Sequence, residues 1–469
     1  MADVHRRNKW TFAVGTTGRD AVYTLVSMYF IYYLTEIVQV SDAVLAWVSS
    51  LILAARLFDA VMDIVMGSVV DNTRTRWGQY KPWIFIGMIA SAVFTVLLFT
   101  DMSSGSAVTV VIFALFYLLW SLSWTANDIP YWSLMPALTL VQKQREQIGS
   151  LAKIFATIGQ FAVVGTIIPI VGAAGGDNPG GVLVQAFGAK TGWVVYVLII
   201  VTVMALGQTI TLVGTKVPSL VIEQEKVTLR QVYKVVFDND QLMWAAIAMV
   251  LFMTGFTTTT TFGTYFFTYA YRDASMYTVF GVIMGVSMIT GYLVFPLLRK
   301  RFNRRALYTL ATGLVSAGYI VFFFSPMNIV ILGVAGVLLF IGDAFVTVLM
   351  LMFIADSIDY GHWKLGRRNT AITFALQPFI NKVGAALSAQ VVALVLIWSG
   401  INAAQGNPDD VTSGGLVVMK VWMMVFPLAL TLIGYFLYRW KYRIDEAFYD
   451  RIIKDLTQRG QLTDQGSAV

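Results

Sequence analysis

Twelve long apolar runs constrain this chain more than any other feature. They cover residues 11–38, 43–70, 83–101, 107–135, 148–174, 191–217, 241–270, 276–298, 306–325, 328–356, 373–400 and 415–438. Each is close to, or longer than, the about 20 residues that a helix needs to cross the hydrocarbon of a bilayer. In lipid the backbone has no water to bond, so a spanning segment must satisfy its own amides as a helix. The expected fold is an all-α integral membrane protein of twelve transmembrane helices. Composition agrees: 57% of the 469 residues are hydrophobic and 13% charged, against about 25% charged in an ordinary soluble domain.

Charge decides the orientation. Of the 33 Lys and Arg, only Lys190, Arg272 and Lys420 fall on the outer side, Lys420 near the outer end of the twelfth run, and Arg19, Arg56, Lys153 and Lys382 fall within spans. The rest lie in the tails and even-numbered loops, which the positive-inside rule makes cytoplasmic. Both termini are therefore expected in the cytoplasm of a cell whose cytoplasmic (inner) membrane carries the protein. The same asymmetry accounts for the net charge of +7 without a nucleic-acid partner. Runs such as Arg299-Lys300-Arg301 and Arg304-Arg305 read as cytoplasmic anchors in contact with lipid headgroups.

The first run is basic at its start, MADVHRRNKW, but it is long, contains Arg19 and Asp20 and lacks an A-x-A site, so it reads as a first span and not a signal peptide. The chain has no cysteine, and its two histidines, His5 and His362, lie outside the runs. That excludes disulfides, thiol chemistry and zinc–thiolate sites, and it removes the usual nucleophile and base pairs of an enzyme. No cofactor is expected.

The longest polar interruption, KVPSLVIEQEKVTLRQVYKVVFDNDQ at 216–241, divides the runs six and six. Transporters built from two six-helix halves have this hydropathy pattern, with the substrate site near the midplane. The expected organisation is a six-helix bundle over 1–217, a cytoplasmic loop over 218–240, a second bundle over 241–440 and a cytoplasmic tail over 441–469. In the tail, Phe448, Ile452, Ile453 and Leu456 fit a short amphipathic helix, expected to lie on the membrane surface.

Ionisable residues inside the runs carry the functional signal, because Asp or Arg at a helix centre costs about 2.5–3.5 kcal/mol to insert. The stretch AARLFDAVMDIV at 54–65 puts Arg56, Asp59 and Asp63 on one helical face. Two carboxylates one turn apart repel unless a proton or cation lies between them, and Arg56 can neutralise only one. The trio reads as a loadable proton or cation site, or else as a structural ion pair. In SLSWTANDIPYWSL at 121–134, Trp124, Asp128 and Trp132 are spaced by four, with Thr125 on the neighbouring side. A carboxylate between aromatic faces suits a sugar, whose C–H faces stack and whose hydroxyls donate; the alternative is packing, with Asp128 answering a buried Lys. Arg19, Asp20, Lys153, Asp343, Gln377, Asn381 and Lys382 add further polar groups, Asp343 either as part of the cavity or as a hydrogen-bonded helix residue. The run TTTTT at 257–261 reads as back-bonded packing ahead of a polar lining.

Together GRDAVYT, YFIYYLTEIV, ARLFDAVMDIVMG, RTRWGQYKPWI, NDIPYWSL with REQ, DNDQL and ADSIDYGHWKL resemble, in the same order, segments of the glycoside-pentoside-hexuronide:cation symporters, which have the major facilitator fold. The likeness runs over nearly all of residues 8–440. It implies a cation site bordered by Asp59, Asp63 and Thr125, and a sugar site at Asp20, Asp128, Trp132 and Lys153 with Arg19, Gln377 and Lys382 nearby; Trp124 joins it by its spacing. It implies a cytoplasmic gate of Arg145, Asp356, Asp359 and Arg368. Met62 stands where melibiose-type members have an Asn, which removes an oxygen ligand for sodium and favours a proton. Thr347 and Pro378 replace a Trp and a Thr of that sugar pocket, while Asp20 and Asp128 favour a galactoside-like ligand.

The expected function is proton-coupled, or else sodium-coupled, symport of a galactoside-like di- or oligosaccharide by alternating access, carried out by a monomer. The alternatives are a lysolipid or other amphiphile transporter of the same fold, and a sugar-binding membrane sensor.

Overall fold

The computed structural model describes residues 2–101, 106–139, 142–172, 180–217, 237–366 and 370–459. Most of the 218–240 loop lies outside them. Among the described residues there are twelve long helices. They are α1 (Ala2–Tyr32, continued by a π-turn, Tyr33–Val38), α2 (Asp42–Asn72), α3 (Lys81–Leu98), α4 (Ser106–Ala137), α5 (Gln142–Val171) and α6 (Ala189–Gly214). Then come α7 (Asp240–Tyr265, with a π-turn at Phe266–Ala270), α8 (Met276–Arg299), α9 (Arg304–Phe324), α10 (Ile329–Leu365) and α11 (Thr370–Trp398). α12 runs from Ser413 through a π-turn, Val421–Val425, to Lys441, and a shorter helix, α13 (Glu446–Gln458), follows.

Eleven of these are long and apolar enough to cross a membrane. α2 has the length, with 31 residues, but carries the charged trio. Local chemistry sets the helix ends: Asn303 caps α9 by accepting from Ala306 N at 2.7 Å, and Asn328 caps α10 by accepting from Val330 N at 2.9 Å. Gly366, at φ 71°, closes α10 in the left-handed region. At 37 residues α10 is about 55 Å long, so it is longer than the roughly 30 Å apolar layer, and Asp356 and Asp359 lie buried toward its C-terminal end.

Two compact units divide the chain. Unit 1 comprises Met1–Lys226, Thr260–Gly285 and Ala389–Met419, and unit 2 comprises Val227–Thr259, Val286–Ser388 and Lys420–Val469. Within unit 1, α1 packs on α5 and α6, α2 on α4, and α3 on α4 and α6. Small residues let these helices approach backbone to backbone. A Cβ added at Gly18 would lie 2.4 Å from the Met204 backbone, and one at Gly159 would lie 1.9 Å from Thr17 O. Those two contacts hold α1 at the height that presents Arg19 and Asp20.

Within unit 2, α9 packs on α10 and α12, and α10 on α13. The tail helix departs from expectation. Its stripe does not lie free on a membrane surface: Ile452 and Leu456 are buried in the protein, and Phe448 packs against Tyr360 and Trp363. Trp363 Nε1 donates to Asp455 at 2.6 Å, and Arg299 and Arg305 pair with Glu446 and Asp445. An aromatic face at the end of α10, rimmed by arginines, fits this amphipathic segment better than lipid does. The threonine run packs as expected where it is described: Thr258 and Thr259 return hydrogen bonds to Thr254 O and Gly255 O of their own helix.

Candidate functional site

Arg19 is the hub of unit 1. It is 4% exposed, and its guanidinium bonds Asp128 through Nη1 and Asp20 through Nη2, the latter at 3.1 Å. It also lies 5.0 Å from the Trp132 ring, 5.1 Å from Tyr131 and 5.7 Å from Trp124. Lys153 reaches the same Trp132 ring at 5.3 Å. The structure thus brings Arg19, Asp20, Asp128, Trp124, Trp132 and Lys153 together from α1, α4 and α5. Their exposures differ in a useful way. Asp20 and Asp128 are 27% and 14% exposed and Trp132 is half-buried, so these three can meet a ligand. Trp124 is buried, with ring contacts to Tyr23 and Trp120 at 5.5 and 5.7 Å, and it supports the site from beneath. An aromatic ring beside a cation and two carboxylates offers a pyranose both a stacking face and acceptors.

One turn toward the N-terminal end of α4, Thr125 faces α2. Its Oγ1 lies 2.6 Å from Asp59 Oδ1 and 3.0 Å from Asp63 Oδ1. One hydroxyl now bridges the two acids. The hydrogen bonds described for Arg56 go to phenols, where the shared face suggested a carboxylate. Arg56 bonds the Tyr117 phenol through Nε at 2.8 Å and the Tyr23 phenol through Nη1 at 3.4 Å. Its long side chain reaches α4 and α1, where phenol oxygens and ring faces accommodate a guanidinium.

The α4 register is locked by groups that spacing alone did not mark. Asn127 donates to Ile84 O at 2.9 Å and to Gln208 Oε1 at 2.7 Å, and Gln208 donates back to Asn127 Oδ1 at 2.9 Å. Both amides are fully buried, and the reciprocal pair ties α3, α4 and α6 together. Tyr131 donates to Phe12 O at 2.6 Å. Glu36 was also overlooked. It is buried in the π-turn after α1 and accepts from the Tyr269 phenol at 2.7 Å, which in turn accepts from Gly406 N at 2.9 Å. Amides inside apolar runs, and an acid at the end of one, were the signals available.

Gln377 and Lys382 lie on α11 in unit 2, Lys382 buried; Pro378 stands inside that helix. Of the residues expected at a gate, Asp356 pairs with Arg304 and Asp359 accepts from the Tyr449 phenol at 2.8 Å. Arg304 also stacks 5.7 Å from the Tyr449 ring. Burial, reinforced by the Asp359 hydrogen bond, raises the Tyr449 phenol above its ordinary range, so it remains a donor at neutral pH. Arg368 and the Arg145 side chain lie outside the described residues. Arg304 had read only as an anchor, and Tyr449 carried no sequence signal.

Comparison with known proteins agrees with this architecture. The chain is 31% identical over 465 residues to the lactose permease of Lactobacillus delbrueckii subsp. bulgaricus, covering 97% of this chain and 73% of the relative. It is 25% identical to the raffinose carrier protein of Pediococcus pentosaceus, covering 95% and 70%, and 24% identical to the isoprimeverose transporter of Lactiplantibacillus pentosus, covering 92% and 88%. The nucleoside transporter NupG shares the fold, with a TM-score of 0.63 at 15% identity over 93% of this chain and 99% of that one. A bacterial homologue of the lysosomal transporter Spinster, in an inward-facing and unoccupied conformation, does so with 0.64 at 13%, over 94% and 97%. The profile of the MFS/sugar transport protein family matches residues 11–446, and the chain belongs to that family as a multi-pass membrane transporter of sugar, not an enzyme.

Proposed function

We propose that this sugar symporter is driven by protons and carries a galactoside-like di- or oligosaccharide. The carrying observation is the Thr125 bridge. A threonine hydroxyl has one proton and can donate to one carboxylate only. With Asp59 at 2.6 Å and Asp63 at 3.0 Å from the same oxygen, the second contact is attractive only when the other acid carries a proton or a cation sits between them. Met62, one residue before Asp63, offers a thioether where a hard ion would need oxygen, which favours the proton.

Loading Asp59 and Asp63 with a proton removes the repulsion between two acids on α2 and lets α2 and α4 close up. α4 carries both Thr125 and the sugar-facing Asp128 and Trp132, so the ion site and the sugar site share one rigid element, and each ligand favours the closed arrangement of the other. The sugar's hydroxyls engage Asp20 and Asp128 in competition with Arg19 while its apolar face rests on Trp132. One proton entering through 100 mV contributes about 2.3 kcal/mol, enough for a roughly fiftyfold sugar gradient. The names of the lactose and raffinose relatives support a galactosyl sugar. The charge asymmetry supports a cytoplasmic membrane with both termini inside.

The test is uptake of labelled lactose and raffinose into proteoliposomes under an imposed proton gradient or an imposed sodium gradient. Accumulation with the proton gradient alone is expected. Accumulation that follows sodium and ignores pH would overturn the proton reading.

A further inference from the structure

Asp343, on α10 in unit 2, stands outside everything derived so far. It is 3% exposed, and its Oδ1 is buried without a hydrogen bond. Two glycines bracket it. A Cβ at Gly342 would lie 2.7 Å from Val315 and 2.9 Å from Ala311 O, and one at Gly291 would lie 2.6 Å from the Ala344 side chain. α8 and α9 are thus packed directly on α10 around the carboxyl. The titratable groups that face it are Tyr292 from α8 and Tyr319 from α9. Among the described residues no arginine or lysine pairs with it.

The Tyr319 phenol is already oriented. The Thr259 hydroxyl lies 2.9 Å from Met423 O and 3.2 Å from Gly255 O, both of which can only accept, and 2.9 Å from the Tyr319 oxygen. With the one threonine proton shared between those carbonyls, Tyr319 is the donor to Thr259. Its own proton is therefore directed to Thr259, and its oxygen lone pairs remain as acceptors. Met423 belongs to the π-turn that interrupts α12, a departure from helical bonding that recurs at functional sites.

An ionised carboxylate sealed from water with no cation beside it is strongly disfavoured, and such a group takes up a proton instead. Tyr292 and Tyr319 interact with Asp343 electrostatically from α8 and α9 and neither bonds its Oδ1, so among the described residues no group compensates an ionised carboxylate. Any movement that separates α8 or α9 from α10 would hydrate the carboxyl and release the proton. Proton affinity at this position then differs between conformations, which by linkage makes the proton a ligand of one of them.

We propose that Asp343 is a second proton-binding site, in unit 2 and separate from the acids of α2, that holds its proton in the present conformation and releases it when α8 or α9 parts from α10. Raising the pH therefore disfavours this conformation, and an amide at 343, which resembles the protonated acid, removes that pH dependence.

Infrared spectra of the purified protein in lipid nanodiscs test the site without any transport measurement, so the result stands apart from the coupling ion of the symporter. The D59N/D63N variant is expected to keep a C=O band of a protonated carboxylic acid at neutral pH, and to lose that band when Asp343→Asn is added. Tyr319→Phe, which removes a facing phenol but leaves the acid, is expected to shift the band, which keeps the test open if D343N folds poorly. Sugar exchange without a gradient should decline at alkaline pH in the D59N/D63N variant and lose that decline when D343N is added. A band that disappears with D59N/D63N, or that is indifferent to both D343N and Tyr319→Phe, overturns the proposal.

Discussion

The acids of α1, α2 and α4 and the acid of α10 are the same residue types in the same kind of helix, yet they occupy opposite situations. Asp20 and Asp128 share one guanidinium, and Asp59 and Asp63 share one hydroxyl. Asp343 faces two phenols and, among the described residues, no arginine or lysine. What an intramembrane carboxyl can do is therefore set by what the neighbouring helices offer it: a shared guanidinium, a shared hydroxyl, or an apolar wall with phenols.

Removing the shared charge of the α2 pair should break the comparison most severely. Asp59→Asn or Asp63→Asn is expected to abolish gradient-driven accumulation, a loss of the whole roughly fiftyfold gradient, while exchange without a gradient persists; uptake in vesicles measures both, and intact accumulation would remove the pair from the ion site. Next is Arg19→Gln, which leaves Asp20 and Asp128 facing each other without their cation. Breaking a buried pair costs about 3–5 kcal/mol, so a clear fall in melting temperature and loss of sugar binding are expected, read by thermal unfolding and equilibrium binding. Asn127→Ala strands the Gln208 amide and should destabilise by about 1–3 kcal/mol, visible as a lower melting temperature with a smaller effect on affinity. Trp132→Ala removes the stacking face and should weaken sugar binding by about 1 kcal/mol, roughly fivefold; an unaltered affinity would move the sugar elsewhere. The smallest effect is expected at the tail. Tyr449→Phe deletes one hydrogen bond to Asp359, about 1 kcal/mol, and should change transport rate with little change in sugar affinity.

Much of this was legible in the chain itself because lipid is a demanding solvent. Twelve apolar runs could only be helices, and charges within them had to be there for a reason, which singled out Arg19, Asp20, Asp59, Asp63 and Asp128 before any coordinates. The four-residue spacing of Trp124, Asp128 and Trp132 placed them on one face, and the structure keeps that face. It does not treat its members alike: Trp124 is covered by Tyr23 and Trp120, while Trp132 remains half-open. Arg56 misled for the same reason. Proximity along α2 suggested a carboxylate partner, whereas the phenols it bonds sit on α1 and α4, at residues 23 and 117. The tail helix was recognised from its apolar stripe, but nothing local says whether a stripe meets lipid or protein, and Trp363 and Tyr360 of α10 decided it.

The amino-acid sequence by itself determined that the chain is a bundle of long apolar helices and that ionisable groups stand within them. Each follows from transfer free energies and helical period, which are properties of single segments. The tertiary structure decided which group answers which: Arg19 for two acids, Thr125 for two more, Gln208 for Asn127, and phenols for Asp343. Those pairings join residues far apart along the chain, and they exist only because glycines such as Gly18, Gly159 and Gly342 let particular helices come close enough for side chains to meet.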